Sequence, residues 1–337
     1  MPLRILPVHA GGTIASVSSS QGFRPGLSFE DIITRLGPLP VTFLDTLAPL
    51  GPHGIDSSLM TTRHRVCLAQ DMAARLDDCD AVLVTHGTDT LAHTSAMLAI
   101  MLSGVVRPVV LTGAQRSLEE PDSDAPDNLR DSLQVATHGI PGVWVVFGGR
   151  VLAGGRASKV DSVALQAFDS INAPGYAVEA FCRISGSEMV RASEPSYMPD
   201  ASDAVEVVHL HPGFQPHRLK ALLSDETLRG VVVQVYGLGG MPPEVASLLV
   251  RWVRENNGFA VARSQCLRGV TDLGKYAVGH EALQGGVVAA QDMSLEAAYA
   301  KTAWVLAHFD RHEDRCRQFC VARGGEIREQ PDQAEAL

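Results

Sequence analysis

Short apolar segments that alternate with amphipathic segments are the feature that most restricts the fold of this chain. The apolar segments are rich in β-branched residues, and several of them end at Gly or Thr. This alternation is typical of βαβ units in a mostly parallel sheet, so the sequence predicts the α/β fold class. We expect strands at residues 3–8, 80–84, 106–111, 143–147, 205–210, 230–235 and 259–262, and helices at residues 62–76, 90–102, 128–137, 243–256 and 294–308.

A polar segment divides the predicted strands into two groups. Residues 185–203 are rich in Ser, Glu, Pro and Asp and have no apolar face, which is typical of a linker between domains. We therefore expect an N-terminal catalytic domain at 1–190, a linker at 191–204 and a smaller C-terminal α/β domain at 205–337. The larger domain should contain a mostly parallel sheet flanked by helices. The tail from residue 326 onward is polar, and we expect it to fray.

Charge and hydropathy limit the partners that we expect. The 337-residue chain carries 28 Lys and Arg against 38 Asp and Glu, a formal net charge of -10, which disfavours binding to nucleic acid and to anionic lipid. The N-terminus lacks the pattern of a signal peptide, and the apolar runs are too short to span a bilayer. The six cysteines are scattered, as in a protein whose thiols stay reduced. We therefore expect a cytoplasmic protein without membrane or nucleic-acid partners.

The sequence predicts neither a metal nor another cofactor. Cys316 and Cys320 have helical spacing but no second ligand pair at zinc spacing, so a half-buried helix is the favoured interpretation. His209 and His211 alternate along a predicted strand without a third ligand nearby, and we interpret them as structural. The first predicted strand is not followed by a Gly-x-Gly-x-x-Gly or Gly-Lys-Ser/Thr loop, which disfavours a nucleotide cofactor.

Hydroxyl side chains follow three of the predicted strands. Ligands bind beyond the carboxyl ends of the strands in open parallel sheets, so these segments are the candidate site. Gly11 and Gly12 precede Thr13 after one strand, Thr88 and Asp89 follow a second, and residues 112–115 (Thr-Gly-Ala-Gln) follow a third. Each signal is weak by itself, because the glycines could form a plain turn and Thr88 or Asp89 could be an ordinary helix cap.

Two octapeptides make the combination specific. His-Ala-Gly-Gly-Thr-Ile-Ala-Ser at 9–16 and Val-Thr-His-Gly-Thr-Asp-Thr-Leu at 84–91 resemble the two signatures of the bacterial-type L-asparaginases. The resemblance covers nearly the whole chain and is strongest to the cytoplasmic (type I) branch. It implies an enzyme, an amidohydrolase that converts L-asparagine to L-aspartate and ammonia without a cofactor. Further matching segments are residues 55–60, 111–116, 157–159, 211–213, 236–240 and 264–266.

The resemblance also assigns catalytic roles. A neutral threonine hydroxyl is a poor nucleophile, so it needs a base and a preorganised site for the carbonyl oxygen. The resemblance places Thr13 on a mobile loop as one nucleophile and groups Thr88, Asp89 and Lys159 as a triad. We expect Thr13 to attack the amide carbon and Thr88 to activate the water of the second step. Lys159 acts as a base only when neutral, whereas Asp89 favours its ammonium form, and the sequence leaves this balance open.

Substrate contacts follow from the same resemblance. Ser57 and Ser58 should donate hydrogen bonds to the substrate α-carboxylate, with Asp56 and Gly87 as further binding positions. Asp89 should accept from the α-ammonium. The backbone carbonyl of Ala114 should accept from the leaving amide nitrogen. Without the resemblance, residues 56–58 are equally well explained as an Asx or Ser turn.

Two positions depart from the family pattern. Many members place a tyrosine on the loop after the first threonine, but this chain has Phe23, which has no hydroxyl to exchange a proton. We expect residues 18–22 to act as the hinge of a lid. In cytoplasmic members that have an allosteric asparagine site, an arginine stands where this chain has Gln234, so we expect no strong activation by asparagine.

Several alternatives stay open. An amidase of the same fold could act on glutamine or another amide, because one methylene changes binding by only about 1–3 kcal/mol. A protein with Phe23 in the lid could also be a catalytically idle sensor that binds asparagine, although binding alone would not need both threonines and the lysine. The resemblance further implies a homodimer or homotetramer, in which residues 271–281 of one subunit would approach the neighbour's site.

Overall fold

The computed structural model describes residues 2–20, 22–184 and 194–328. The chain divides into two compact units, Met1–Pro199 and Asp200–Leu337. Residues 191–193 of the predicted linker and residues 329–337 of the predicted polar tail therefore lie outside the described residues, whereas Glu326 at the start of that tail is buried. The strands of the N-terminal unit are β1 (Leu3–His9), β2 (Ser16–Ser19), β3 (Gly22–Pro25), β4 (Val41–Phe43), β5 (Ala81–Thr85), β6 (Leu102–Ser103), β7 (Pro108–Thr112), β8 (Gly142–Phe147), β9 (Arg150–Ala153), β10 (Ala157–Lys159), β11 (Phe168–Ser170), β12 (Tyr176–Ala177) and β13 (Ser196–Tyr197). Its helices are α1 (Phe29–Leu36), α2 (Thr62–Ala73), α3 (Leu91–Met101), α4 (Ala125–His138) and α5 (Val178–Phe181).

A mostly parallel sheet forms the centre of the N-terminal unit, as the sequence predicts. Within the described residues its strand order is β12-β9-β8-β7-β5-β1-β4. The five strands from β8 to β4 pair in parallel, whereas β9 and β12 are antiparallel additions at one edge. β5 and β7 are buried along their whole length, which explains why they appear in the sequence as continuous apolar runs.

Helices cover both faces of this sheet. α1 and α4 place Phe29 and Leu129 in one core cluster with Ile5, Leu83 and Val110 of the sheet. α3 packs against β7 and β8 outside that cluster. Nearly every residue of α3 is buried, including the polar Thr94 and Ser95, so this helix is covered on all sides and shows no amphipathic stripe.

The sheet brings the two signature segments to the same edge. His9 at the end of β1 pairs with Thr85 at the end of β5, and Thr85 pairs with Thr112 at the end of β7. The loops that follow these three strands therefore begin side by side. The prediction that the strand ends share one edge is confirmed by this register.

The segment that follows Thr13 forms a β-hairpin. β2 and β3 pair antiparallel from Ser16↔Pro25 to Ser19↔Gly22, and Gln21 lies outside the described residues. Ser117 Oγ donates to the carbonyl of Ser16 at 2.6 Å, which ties the hairpin to the loop after β7. The hinge that we predict at residues 18–22 therefore belongs to a paired hairpin, which is anchored to the loop after β7.

The C-terminal unit contains its own parallel sheet, as predicted. β14 (Val205–His209), β15 (Gly230–Val235), β16 (Phe259–Ser264) and β17 (Val288–Ala289) pair in parallel in this order. Its helices are α6 (Pro216–Leu223), α7 (Pro243–Asn256), α8 (Ala277–Gln284), α9 (Leu295–His308) and α10 (His312–Cys320). α7 begins at Pro243 and ends at Asn256, and the C-cap residue Asn257 closes the helix with a left-handed φ of 50°.

One local prediction for this unit is wrong. β14 ends at His209, so His211 does not share a strand face with it. The His211 ring instead accepts a hydrogen bond from the N–H of Gly213 in the following turn, at 3.2 Å. Pro212 cannot donate a ladder hydrogen bond, which is the physical reason for the early end of the strand.

Three further observations concern the predicted linker, the predicted cysteine helix and the membrane. β13 lies within the predicted linker and pairs with β6. Cys316 lies on α10, where its Sγ contacts His312 Nε2 at 3.2 Å, and burial raises its thiol pKa to about 11. Among the described residues, no helix is long and apolar enough to cross a membrane.

Candidate active site

Two glycines bring the signature loops into backbone contact. A Cβ atom added to Gly12 would lie 2.2 Å from the backbone N and Cα of Gly87, so only glycine allows this approach. A Cβ added to Gly87 would in turn lie 2.5 Å from the Oγ of Ser57. The loop after β1, the loop after β5 and the Ser57 turn therefore meet at one point. Thr13 and Thr88 each follow one of the two touching glycines.

Thr13 begins a short 3-10 turn, Thr13–Ala15. Gly12 precedes it at φ 89° and ψ -174°, a conformation that residues with a side chain rarely adopt. The Gly12 carbonyl accepts hydrogen bonds from the Ala15 N–H and from Ser16 Oγ. These contacts hold Thr13 in a defined, partly exposed position.

Lys159 joins the two residues of the second signature. Its Nζ lies 2.8 Å from Thr88 Oγ1 and 2.8 Å from Asp89 Oδ1. Lys159 stands at the end of β10, opposite Phe168 of β11, and its side chain is 18% exposed, whereas that of Asp89 is 65% exposed. The cap of α3 is Thr90, so the alternative in which Thr88 or Asp89 serves as a helix cap is not what the structure contains.

Gln115 is a site residue to which the sequence analysis gave no role. The Thr88 hydroxyl donates to Gln115 Oε1 at 3.2 Å while it accepts from Lys159. Gln115 Nε2 donates to the Ala164 carbonyl, and the carboxylate of Asp124 receives the Gln115 backbone N–H. The signal that could have identified Gln115 is its place as the first long polar residue after β7, the neighbour of β5.

The Ser57 turn is held by its neighbours. Ser57–Leu59 forms a 3-10 turn, in which Ser57 is buried and Ser58 is exposed. The carboxylate of Asp56 accepts the Ser58 N–H at 2.8 Å, as expected of an Asx turn. Thr90 Oγ1 donates to the Ser57 carbonyl at 2.8 Å. The Asp56 side chain is therefore engaged in shaping the turn.

Ala114 is completely buried two residues after the end of β7. The preceding Gly113 lies close to the carbonyl of His86, since a Cβ there would be 2.3 Å from that oxygen. Asn128 of α4 donates to the Gly113 carbonyl and to Asp124. These contacts place Ala114 beside the loop that carries Thr88.

His86 lies beneath that loop and is fully buried. Burial lowers its pKa to about 4, and the nearby Arg65 guanidinium contributes in the same direction, so the imidazole is neutral at pH 7. Its Nδ1 lies 2.7 Å from the Gly87 carbonyl and its Nε2 2.8 Å from Thr94 Oγ1.

Phe23 lies on β3 and is 53% exposed. Its partner across the hairpin is Ser18, whose backbone N–H donates to Glu119 Oε2 at 3.1 Å. An aromatic ring held here offers apolar surface but no proton. The catalytic function of a tyrosine hydroxyl is therefore not supplied by this position.

The family assignment follows from whole-chain comparison. Residues 4–184 match the model of the asparaginase N-terminal domain, and residues 204–319 match that of the glutaminase/asparaginase C-terminal domain. The chain therefore belongs to the asparaginase family, as its two signatures predict.

Curated relatives and solved structures agree with this assignment. The L-asparaginase of Thermococcus kodakarensis is 36% identical over 91% of this chain and 93% of its own length. A solved structure of the thermostable L-asparaginase from the same organism superposes with a TM-score of 0.87 at 34% identity, covering 97% of this chain and all of that one. L-asparaginase 1 of Escherichia coli is 30% identical over 90% of this chain and 91% of its own length. A Glutamyl-tRNA(Gln) amidotransferase component of Pyrococcus horikoshii is 33% identical over 95% of this chain and 76% of its own length.

Proposed function

We propose that this protein is an L-asparaginase that hydrolyses the side-chain amide of L-asparagine to L-aspartate and ammonia through a threonine nucleophile. The observation that carries the proposal is the placement of Lys159 Nζ at 2.8 Å from both Thr88 Oγ1 and Asp89 Oδ1. A hydroxyl, an amine and a carboxylate in contact can carry a proton from the attacking water to the amine, which the carboxylate orients. We propose residues 1–190 as the domain that supplies this chemistry.

The reaction proceeds in two steps. Thr13 Oγ attacks the amide carbon, and its proton passes to the amide nitrogen. The C–N bond then breaks, ammonia departs and an aspartyl ester remains on Thr13. A water molecule then attacks the ester carbon while its proton passes through Thr88 Oγ1 to the Lys159 amine. The proton returns to the Thr13 oxygen as the ester C–O bond breaks, which releases aspartate and restores Thr13. At rest Gln115 Oε1 accepts the Thr88 O–H while Lys159 Nζ donates to Thr88 Oγ1, and during proton transfer the Thr88 O–H turns to the lysine amine.

Substrate binding uses the turn at Ser57. The Ser57 hydroxyl and the exposed Ser58 donate to the α-carboxylate, and Gly87, which has no side chain, lets the Ser57 hydroxyl lie against the loop. The exposed carboxylate of Asp89 accepts from the α-ammonium while it holds Lys159. Asp56 acts indirectly, because its carboxylate caps the turn. The Ala114 carbonyl accepts from the leaving nitrogen.

A variant series tests this proposal. Ammonia release from asparagine is measured for the wild-type protein and for Thr13→Val, Thr88→Val and Lys159→Met, with Thr137→Val on α4 as the matched control. We expect each site variant to lose at least about 1,000-fold in kcat, as removal of a nucleophile or its base does. The control should keep wild-type activity. Full activity in Thr88→Val or Lys159→Met would contradict the proposal.

Glutamine is the second candidate substrate. A relative that is named as a component of a Glutamyl-tRNA(Gln) amidotransferase is 33% identical to this chain, and this similarity is the reason to test glutamine. Parallel assays with asparagine and glutamine distinguish the two, and a higher kcat/KM for glutamine would replace asparagine as the substrate. A chain that consumes neither amide, yet has a raised melting temperature in asparagine, would be the idle sensor.

Localisation and assembly complete the proposal. We propose that the protein is cytoplasmic, in keeping with its acidic charge and its similarity to the E. coli L-asparaginase 1. We also propose a homodimer or homotetramer. Light scattering of the purified protein tests the assembly, and a monomer that retains full activity would refute it.

A further inference from the structure

Three buried side chains lie directly beneath the loop that carries Thr88. Arg65 of α2 is 5% exposed, and Thr94 of α3 and His86 are both 0% exposed. Arg65 Nε lies 2.9 Å from Thr94 Oγ1, which lies 2.8 Å from His86 Nε2. His86 Nδ1 lies 2.7 Å from the carbonyl oxygen of Gly87. This chain of contacts, the buried relay, connects α2 with the residue that precedes Thr88.

The direction of every hydrogen bond in the buried relay follows from the atoms involved. Arginine has no acceptor, so Arg65 donates to Thr94. The Gly87 carbonyl has no donor, so His86 Nδ1 carries the proton and donates to it. Because the imidazole is neutral, its Nε2 is an acceptor, and the Thr94 hydroxyl donates to it. The donors therefore point in one direction, from the arginine toward the Gly87 carbonyl, and each bond polarises the next.

The buried relay touches both halves of the site. At one end, Arg65 Nη1 donates to the Met60 carbonyl at 2.7 Å, directly after the Ser57–Leu59 turn. At the other end, His86 fixes the plane of the peptide between Gly87 and Thr88. Carbonyl and N–H point in opposite directions in a planar trans peptide, so the Thr88 N–H points away from the relay.

We propose that Arg65, Thr94 and His86 are positioning residues, which hold the Gly87–Thr88 peptide in the orientation that catalysis by Thr88 requires. None of the three touches the substrate in this account, and the inference rests on the proposed function. The Thr88 side chain moves with the Gly87–Thr88 peptide, because this peptide ends at the Cα atom of Thr88. Rotation of the peptide plane would therefore displace the Thr88 hydroxyl from Lys159. A misplacement of about 1 Å at a reacting group costs on the order of 100-fold in rate.

Thr94 offers the sharpest test, because valine has nearly the same shape as threonine but no hydroxyl. Thr94→Val removes the central link, whereas Thr94→Ser keeps the hydroxyl and loses only a methyl group. We expect kcat for asparagine to fall by about 10- to 100-fold in Thr94→Val, with KM changed less than about 3-fold. Thr94→Ser should restore kcat to within about 3-fold of the wild type. Denaturant unfolding at the assay temperature shows that the compared proteins are folded.

A purely structural role predicts a different result. In that case Thr94→Val lowers the midpoint of unfolding but keeps the wild-type kcat, and this outcome would overturn the inference. If Thr94→Val does not fold, His86→Asn and His86→Leu provide the same contrast, because only asparagine can still donate to the Gly87 carbonyl. Equal kcat values in these two variants would also overturn it.

The test separates the inference from the proposed function. If the wild-type protein hydrolyses no amide, the proposed function fails, and the relay is then judged from a crystal structure of Thr94→Val. We expect the Gly87 carbonyl to rotate away from His86 Nδ1 in that structure. An unchanged peptide plane would contradict the relay whatever the activity of the protein.

Discussion

Substitution of Gly12 by alanine should separate the two signature loops. Ordinary Cβ contacts begin near 3.4 Å, and the new Cβ would lie 2.2 Å from the backbone of Gly87, so Gly87 must retreat by about 1.2 Å. Backbone atoms on both sides leave no flexible side chain to give way. A displacement of this size between Thr13 and Thr88 should lower kcat/KM for asparagine by about 100-fold, which corresponds to about 2.7 kcal/mol of transition-state stabilisation.

Gly37 provides the matched control. It has nearly the same backbone conformation as Gly12, with φ 78° and ψ -167°, but a Cβ there would meet nothing within 4 Å. Both substitutions should therefore cost about 1–3 kcal/mol of folding free energy from backbone strain alone. Ammonia release and denaturant unfolding are measured for both variants. Equal activity of Gly12→Ala and Gly37→Ala would refute the argument that the loop contact positions the threonines.

Three further predictions concern titration, stability and regulation. Because burial lowers the pKa of His86 to about 4 from 6.5, the unfolded state binds more protons between these values. We expect the contribution of His86 to the free energy of unfolding, about 3 kcal/mol, to be complete above pH 6.5 and to be lost as the pH falls toward 4. In denaturant titrations, His86→Asn should flatten the dependence of the free energy of unfolding on pH in this range. Burial opposes ionisation of Glu326, but the Lys301 ammonium and backbone N–H groups outweigh it and lower the carboxyl pKa. Lys301→Met should therefore destabilise folding by about 3–5 kcal/mol and the double change with Glu326→Gln by much less, and equal losses in unfolding experiments would exclude a buried ion pair. Since Gln234 accepts from His209 and carries no charge, the rate should depend hyperbolically on asparagine concentration, and a sigmoidal curve would contradict this.

The parallel sheet, and the edge at which its strands end near the candidate active site, could be predicted from the sequence because both depend on local patterns. β5 and β7 are buried on both faces and therefore appear as continuous apolar runs, and the hydroxyls of Thr88 and Thr112 lie at or just after their ends. Helix α7 could be bounded correctly because Pro243 and Asn257 have strong positional preferences.

Other parts of the site depend on contacts between distant residues and have no local signal. Lys159 lies 71 residues from Thr88, and only the resemblance to a family indicated it. The packing of Gly12 against Gly87 and the link between Thr88 and Gln115 arise from the order of strands in the sheet. His211 was misassigned because alternation predicts a strand face even where a following proline ends the strand.

The central claim is that a threonine of this site forms a covalent ester with the substrate. Thr88→Val should slow water attack on the ester more than its formation, so rapid quenching of this variant with asparagine should trap an aspartyl group. Mass spectrometry of proteolytic fragments then locates it. The account predicts the added aspartyl group on Thr13. An adduct on another residue, or asparagine turnover by the wild-type protein with no adduct trapped in either protein, would contradict it.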